Sequence, residues 1–270
     1  MRSLLFVPGD RPDRFAKAAA SAADALILDL EDSVTPDRKS VARAAVADYL
    51  KQPRTLPLLV RINPATLDDD LKAVLPHKPD AIVLPKAEGA QSVLELSARL
   101  NGVKILPIAT ETPRAVFQLG SYADVASHLI GLTWGAEDLP AAIGAAASRE
   151  PDGRFTAPYE MLRSLTLFAA HAAGTAAIET VYPSFKDEAG LAAYAARACR
   201  DGFTGMMAIH PAQVPVINAA FTPTDAELAW ARAVVAVFAA NPGAGALQLD
   251  GRMIDAPHLK AAQKLLKSQA

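Results

Sequence analysis

The sequence predicts an α/β protein, a (β/α)8 TIM barrel carrying a C-terminal helical extension. Three observations lead there. Short, continuously apolar runs recur along the chain, as strands buried on both faces require. Each run is followed by turn residues and an Ala- and Leu-rich stretch of helical period, the alternation that builds a parallel sheet wrapped by helices. The alternation spans 1–220, enough for about eight such units. A doubly wound open sheet is the rival, but it would place a glycine-rich phosphate loop after the first strand. "FVPGDRPDR" is not one.

The strands are read, in order, in "SLLFVP" (3–8), "ALILDL" (25–30), "PLLVRI" (57–62), "AIVLP" (81–85), "KILPIA" (104–109), "HLIGLT" (128–133), "AAIETVY" (176–182) and "GMMAIH" (205–210). Between them, "RPDRFAKAAASA", "DRKSVARAAVADYL" and "AQSVLELSARL" have the apolar spacing of amphipathic helices. The segment 149–173 is longer, a turn in "REPDGRF" and then a helix. Residues 221–270 form the tail, which packs on the barrel or on a neighbouring subunit. Its first helix is capped by Thr224, "PGAGALQLDGRMID" reads as a short hairpin, and "APHLKAAQKLLKSQ" as a closing helix.

Composition excludes several classes. With 27 basic and 29 acidic residues the net charge is −2, so no basic field points to nucleic acid. The apolar run at the start is about five residues long, cut by Pro8 and Gly9, too short for a signal-peptide core. Nothing approaches the roughly 20 apolar residues of a membrane span. A soluble cytoplasmic protein is the default expectation. The one cysteine, Cys199, rules out a disulfide framework, and its helical setting predicts a buried small hydrophobe.

Barrel enzymes carry their chemistry where strands run into the following loops. Those positions hold Asp29, Glu31, Asp32, Arg61, Asn63, Lys86, Glu88, Glu111, Glu137, Asp138, Glu179 and His210. Carboxylates without His or Cys partners suit a hard cation such as Mg²⁺, which takes one or two of them with water and substrate. Glu111 and Asp138 follow adjacent strands and can meet over the barrel mouth; alternatively they cap the helices "PRAVFQL" and "LPAAIGAAA". Arg61 ends an apolar strand, where it either pairs with Glu31 or Asp32 or binds an oxyanion. His210 before Pro211 is a base by type and a hydrogen-bonded structural residue by position.

The phrases "RSLLFVPGDRPDRFAKA", "ADALILDLEDSV", "RINP", "LPKAE", "ETPRA", "GAEDL", "AIETVY", "GFTGMMAIHPAQV" and "DGRMIDAPHLKAA" occur in order nearly end to end. On them the sequence resembles the citrate lyase β-subunit-like family of the HpcH/HpaI aldolase superfamily. The resemblance implies that Glu111 and Asp138 bind Mg²⁺, with Mn²⁺ as the alternative ion. It places Arg61 against the oxoacid oxygen and Glu31 and Asp32 behind the metal waters or Arg61. The backbone of Gly135, Ala136 and Glu137 would offer N–H groups to the substrate carboxylate at a helix start. Relatives handle acyl-CoA thioesters, so Arg11, Arg14 and Lys17 become candidates for CoA phosphates; a solvated helix face is the alternative. Asp255 matches an aspartate that, in malyl-CoA lyase-like relatives, enters a neighbouring subunit's site as acid/base. It could equally cap the final helix. A homo-oligomer, trimer or hexamer, goes with that role.

Arg61, Glu31 and Asp255 are thus the expected catalytic set. The implied activity is Mg²⁺-dependent Claisen or retro-Claisen carbon–carbon lyase chemistry on a carboxylated 3-hydroxyacyl-CoA, such as citryl-, malyl- or citramalyl-CoA. The oxoacid partner would be of the oxaloacetate type. Alternatives are a β-subunit acting on carrier-bound citryl thioester within a citrate lyase complex, a pyruvate-type aldolase on free hydroxy-oxo acids, and a non-catalytic binding module. Two positions depart from the family pattern: Met206 stands where lysine is common, and Glu179 where aspartate is.

Overall fold

Eight apolar runs pair as parallel strands: β1 (Ser3–Pro8), β2 (Ala25–Asp29), β3 (Leu58–Arg61), β4 (Ala81–Leu84), β5 (Lys104–Pro107), β6 (Gly131–Thr133), β7 (Ala176–Glu179) and β8 (Gly205–Ala208). The chain is seen in a computed structural model that describes residues 1–267. The strand order is β5-β4-β3-β2-β1-β8-β7-β6. Ile130 N–H donates to Ile105 O at 3.0 Å and Ala109 N–H to Thr133 O at 2.9 Å, which joins β5 to β6 and closes a TIM barrel. At the β8–β1 seam a side chain on Gly205 would sit 2.3 Å from Met1 O, so only glycine lets the strands meet there.

The period of two along each strand sorts the core into two layers. Leu4, Ile27, Leu59, Val83, Leu106, Ile178 and Met207 fill the barrel interior. Leu5, Leu26, Val60, Ile82, Ile105, Ala177 and Met206 face the helices. Burying each such Leu or Ile contributes about 1.5–3 kcal/mol relative to exposure. Met206 therefore points away from the barrel mouth, and Met207 occupies the inner position beside it.

The surrounding helices are α1 (Phe15–Ala19), α2 (Lys39–Leu50), α3 (Leu67–Val74), α4 (Ala90–Ser97), α5 (Pro113–Val116), α6 (Leu139–Ile143), α7 (Ala157–Ala172), α8 (Glu188–Asp201) and α9 (Gln213–Ala220). Between α6 and α7, Arg149 and Phe155 form an antiparallel bridge, with the guanidinium 3.8 Å above the Phe155 ring. Cys199, on α8, is exposed and not the buried hydrophobe its Ala-rich context suggests, because it sits on the outer face of that helix. Strand β8 ends at Ala208, so His210 lies beyond it in a turn.

A first unit covers Met1–Phe221, and a second begins at Thr222. The second holds α10 (Asp225–Ala240), β9 (Ala246–Leu249), β10 (Arg252–Asp255) and α11 (Ala256–Lys267). Thr224 and Glu227 form a reciprocal capping box at the start of α10. The β9–β10 hairpin turns through Asp250 and Gly251, both at positive φ (47° and 75°), the signature of a type I′ turn. Its own core gathers Ala231, Val234, Ile254 and Ala262. Among the described residues no helix is long and apolar enough to cross a membrane.

Candidate functional site

A cavity of about 290 Å³ opens where the barrel strands end, within the first unit. Its walls are Phe6 and Pro8 of β1, Asp29 and Asp32 at the end of β2, Arg61 of β3, and Glu111 after β5. They are joined by Ser33 after β2, Ile108 just past β5, Trp134, Gly135, Ala136, Glu137 and Asp138 after β6, Thr180 and Val181 after β7, and Met207 and Ile209 from β8 onward.

Arg61 is held from behind. The parallel register sets Asp29 beside Arg61. Asp29 Oδ1 and Oδ2 accept from Arg61 Nε and Nη2 at 2.7 Å each, the bidentate fork a guanidinium favours. Arg61 Nη1 lies 3.0 Å from Glu31 Oε2. Burial opposes the charges on both Asp29 and Arg61, yet their mutual attraction outweighs it, lowering the Asp29 pKa and raising that of Arg61. Asp29 also receives Glu31 N–H (2.9 Å) and Ser33 N–H (3.1 Å), which shapes the "LEDS" turn. The partner is thus Asp29 with Glu31, while Asp32 makes no ion pair to Arg61 and borders the cavity. Glu31 is buried outside the cavity wall, between Arg61 and Lys86 Nζ (2.9 Å), and burial raises its pKa against both cations.

Glu111 and Asp138 do not cap helices. Thr112 caps α5 through its side chain, and Asp138, at the start of α6, makes no side-chain capping bond. Glu111 is buried, its Oε2 accepting Lys86 N–H at 2.6 Å. Lys86 reaches that position with a left-handed φ of 52°. Burial pushes the Glu111 pKa up to about 8; the Lys86 hydrogen bond resists, and the charges of Asp138 and Glu31 add to the rise. Lys86 Nζ is 3.8 Å from Asp138 Oδ1. Among the described residues no three His, Cys, Asp or Glu side chains converge in metal-binding geometry. Two carboxylates crowded at one mouth, one of them buried with little to neutralise it, still fit a hard divalent ion that keeps water and substrate as its other ligands.

The loop 135–138 lies against Glu111: a Cβ on Gly135 would meet Glu111 Cγ at 2.9 Å and Oε1 at 3.1 Å. Thr110 Oγ1 accepts Gly135 N–H (3.1 Å) and donates to Gly135 O (2.9 Å). Of the three N–H groups expected to face substrate, that of Gly135 is therefore occupied. Those of Ala136 and Glu137 have no acceptor among the described residues.

A second cavity, of about 380 Å³, shares Phe6, Pro8 and Ile209 with the first and is lined by Arg14, Lys17 and His210. Arg11 is not part of it; its guanidinium is exposed and paired with Asp13 at 3.0 Å. His210 stacks on Phe185 at 5.1 Å and its Nδ1 accepts Ala212 N–H at 3.2 Å, a structural setting. Glu179 is fully buried against α7, away from both cavities. Asp255 ends the hairpin of the second unit, where its Oδ1 lies 2.5 Å from His258 Nδ1 and that contact lowers its pKa. The functional positions that sequence reading left without a role are Asp29, Lys86, Thr110 and Thr180.

The family model of HpcH/HpaI aldolase/citrate lyase matches residues 2–211. A citrate lyase subunit beta-like protein of Mycobacterium tuberculosis is 40% identical over 266 residues, covering 97% of this chain and 93% of that protein. A (3S)-malyl-CoA thioesterase of Cereibacter sphaeroides is 36% identical over 283 residues, covering 100% and 95%. The crystal structure of CitE from Mycobacterium tuberculosis in complex with magnesium, acetoacetate and coenzyme A superposes with a TM-score of 0.86. It is 38% identical and covers 98% of this chain and 97% of that one.

Proposed function

This chain belongs to the HpcH/HpaI aldolase/citrate lyase family, and we propose that it is a Mg²⁺-dependent carbon–carbon lyase acting on a carboxylated 3-hydroxyacyl-CoA. The observation that carries this reading is the pair Glu111 and Asp138, uncapped carboxylates at the cavity mouth, one buried with its pKa near 8. Mg²⁺ held by that pair supplies Lewis acidity to the carboxylate and carbonyl oxygens of an oxoacid.

The rest of the chemistry falls to the chain. The N–H groups of Ala136 and Glu137 receive the oxoacid carboxylate. Arg61, preset by Asp29 and Glu31, meets the negative charge that develops on the carbonyl oxygen. Arg14 and Lys17 attract CoA phosphates in the adjoining cavity. In the condensing direction Asp255, an anion at neutral pH and supplied by a neighbouring subunit, takes a proton from the acyl methyl group. The resulting enolate carbon attacks the oxoacid carbonyl carbon, whose oxygen becomes an alkoxide beside Arg61 and takes a proton from solvent to give the hydroxyl. Cleavage reverses these steps: the hydroxyl gives its proton to solvent, the carbon–carbon bond breaks to the oxoacid carbonyl and an enolate, and Asp255 in its protonated form returns a proton to the acyl carbon.

The (3S)-malyl-CoA thioesterase relative supports a second reading, hydrolysis of the thioester. A panel of citryl-, malyl- and citramalyl-CoA incubated with Mg²⁺ separates the two. A lyase releases free oxoacid and a shorter acyl-CoA, whereas a thioesterase releases free CoA and the intact hydroxy acid. Glu111→Ala and Asp138→Ala are expected to abolish turnover. Activity that persists in EDTA overturns the metal assignment.

A further inference from the structure

Behind the cavity wall lies a carboxylate that touches neither cavity. Glu179, the last residue of β7, is fully buried. Its Oε1 accepts two hydrogen bonds, from the indole Nε1 of Trp134 at 2.6 Å and from Thr180 N–H at 2.8 Å. Its Oε2 accepts from Arg163 Nε at 2.6 Å, and Arg163 Nη1 is held in turn by Asp201 at 2.7 Å. Trp134 immediately precedes the 135–138 loop, and both Trp134 and Thr180 line the cavity. One oxygen therefore joins the loop after β6 to the loop after β7.

Such an arrangement is costly if stability is all it provides, since a buried ion pair does no better than well-packed apolar side chains of the same volume. What it adds is geometry. Arg163 fixes the carboxylate, the carboxylate fixes the indole, and Trp134 is further clamped by Phe155 with ring centroids 4.9 Å apart. The backbone beyond Trp134 has no slack, because Gly135 already lies against Glu111. Trp134 leads straight into that backbone, so what holds its side chain bears on where Gly135 and Asp138 lie.

We propose that Glu179 is a positioning residue that acts through Trp134 to set the 135–138 loop, and with it Asp138 and the Ala136 and Glu137 N–H groups. The inference rests on the cation site assigned above to Glu111 and Asp138. Its test uses the full chain as Glu179→Gln, Trp134→Phe and the double variant, with Mg²⁺ alone titrated calorimetrically before any substrate is added. Each single variant is expected to weaken Mg²⁺ binding about tenfold or more, the usual effect of removing a group that orients a metal ligand. The double variant is expected to be no weaker than the weaker-binding single, because the two changes act on one chain of contacts: Glu179→Gln removes the Arg163 anchor of the group that holds the indole, and Trp134→Phe removes the indole hydrogen bond which that anchor serves. Affinity for free CoA should stay at the wild-type level in all three.

Additive losses in the double variant overturn the proposal, as does wild-type Mg²⁺ affinity in Trp134→Phe. If Glu179→Gln fails to fold because Arg163 is left with Asp201 alone, Trp134→Phe decides, since it leaves the Glu179–Arg163 pair intact. A wild-type chain that binds Mg²⁺ but turns over no thioester overturns the proposed activity and leaves this inference to the affinities. A wild-type chain that binds no Mg²⁺ overturns both.

Discussion

Arg61 keeps its charge beside the cavity because Asp29 accepts from two of its nitrogens and Glu31 stands against the third nitrogen. Removing one partner strands the other. Asp29→Asn is expected to cost about 3–5 kcal/mol at pH 7, the usual penalty for breaking a buried pair. The folded chain holds the Asp29 pKa below its unfolded value of about 3.9, so its contribution is complete above that pH and disappears as pH falls through the lower, folded value. Urea unfolding of wild type and variant should therefore show a gap that is wide at pH 7 and narrower at pH 3; an equal gap at both would refute the assignment. Glu111, Asp138 and Arg61 were visible in the sequence as polar residues ending apolar runs. Asp29 as the partner of Arg61 was not, because the pairing depends on the parallel register and not on spacing. Lys86 was hidden for a related reason: nothing local announces a left-handed lysine whose N–H reaches a carboxylate 25 positions away.

At the scale of elements, the strands were legible because burial on both faces leaves a continuous apolar run. Their ends were not: β6 shrinks to Gly131–Thr133 because the residues before it, Leu119–His128, are wound as 3-10 helix. The hairpin and the Thr224 cap were readable from local turn and capping chemistry, which needs no tertiary information. The 135–138 loop is the opposite case. Its conformation follows from Thr110, Glu111 and Trp134, three contacts supplied by other elements or by the barrel wall. Gly135→Ala should push Glu111 aside by overlap at 2.9 Å. The expected outcome is a tenfold or greater loss of Mg²⁺ affinity, about the scale of other disturbances to ligand orientation, with a thermal melt close to wild type. A variant that binds Mg²⁺ normally would show that the loop can yield.

For the molecule as a whole, the proposed function assigns the oxoacid and the CoA phosphates to two adjoining cavities. Arg14→Ala with Lys17→Ala should raise KM for the thioester about tenfold while leaving kcat near wild type, since phosphate contacts remote from the reacting carbon bind ground and transition states alike. A fall in kcat with KM unchanged would place those cations elsewhere in the mechanism. The role proposed for Asp255 makes a different demand, that one subunit complete another's site. Arg61→Ala and Asp255→Asn should each be inactive alone and regain partial activity when refolded together, because mixed oligomers then contain sites with both residues intact. No recovery in mixtures shown to have exchanged subunits would confine Asp255 to its own chain. The family and fold could be read from many short phrases spread along the sequence, but the partition into two cavities could not. The two share three lining residues, Phe6, Pro8 and Ile209, that belong to the first strand of the barrel or the turn just past the last.

That shared wall has a consequence for ligand design. A small acid in one chamber and a phosphate-bearing fragment in the other would both rest against the same phenylalanine, proline and isoleucine. Joining two such fragments over this shared wall would make the second contact intramolecular, at an effective concentration set by the tether, and two weak binders would combine into one much tighter inhibitor.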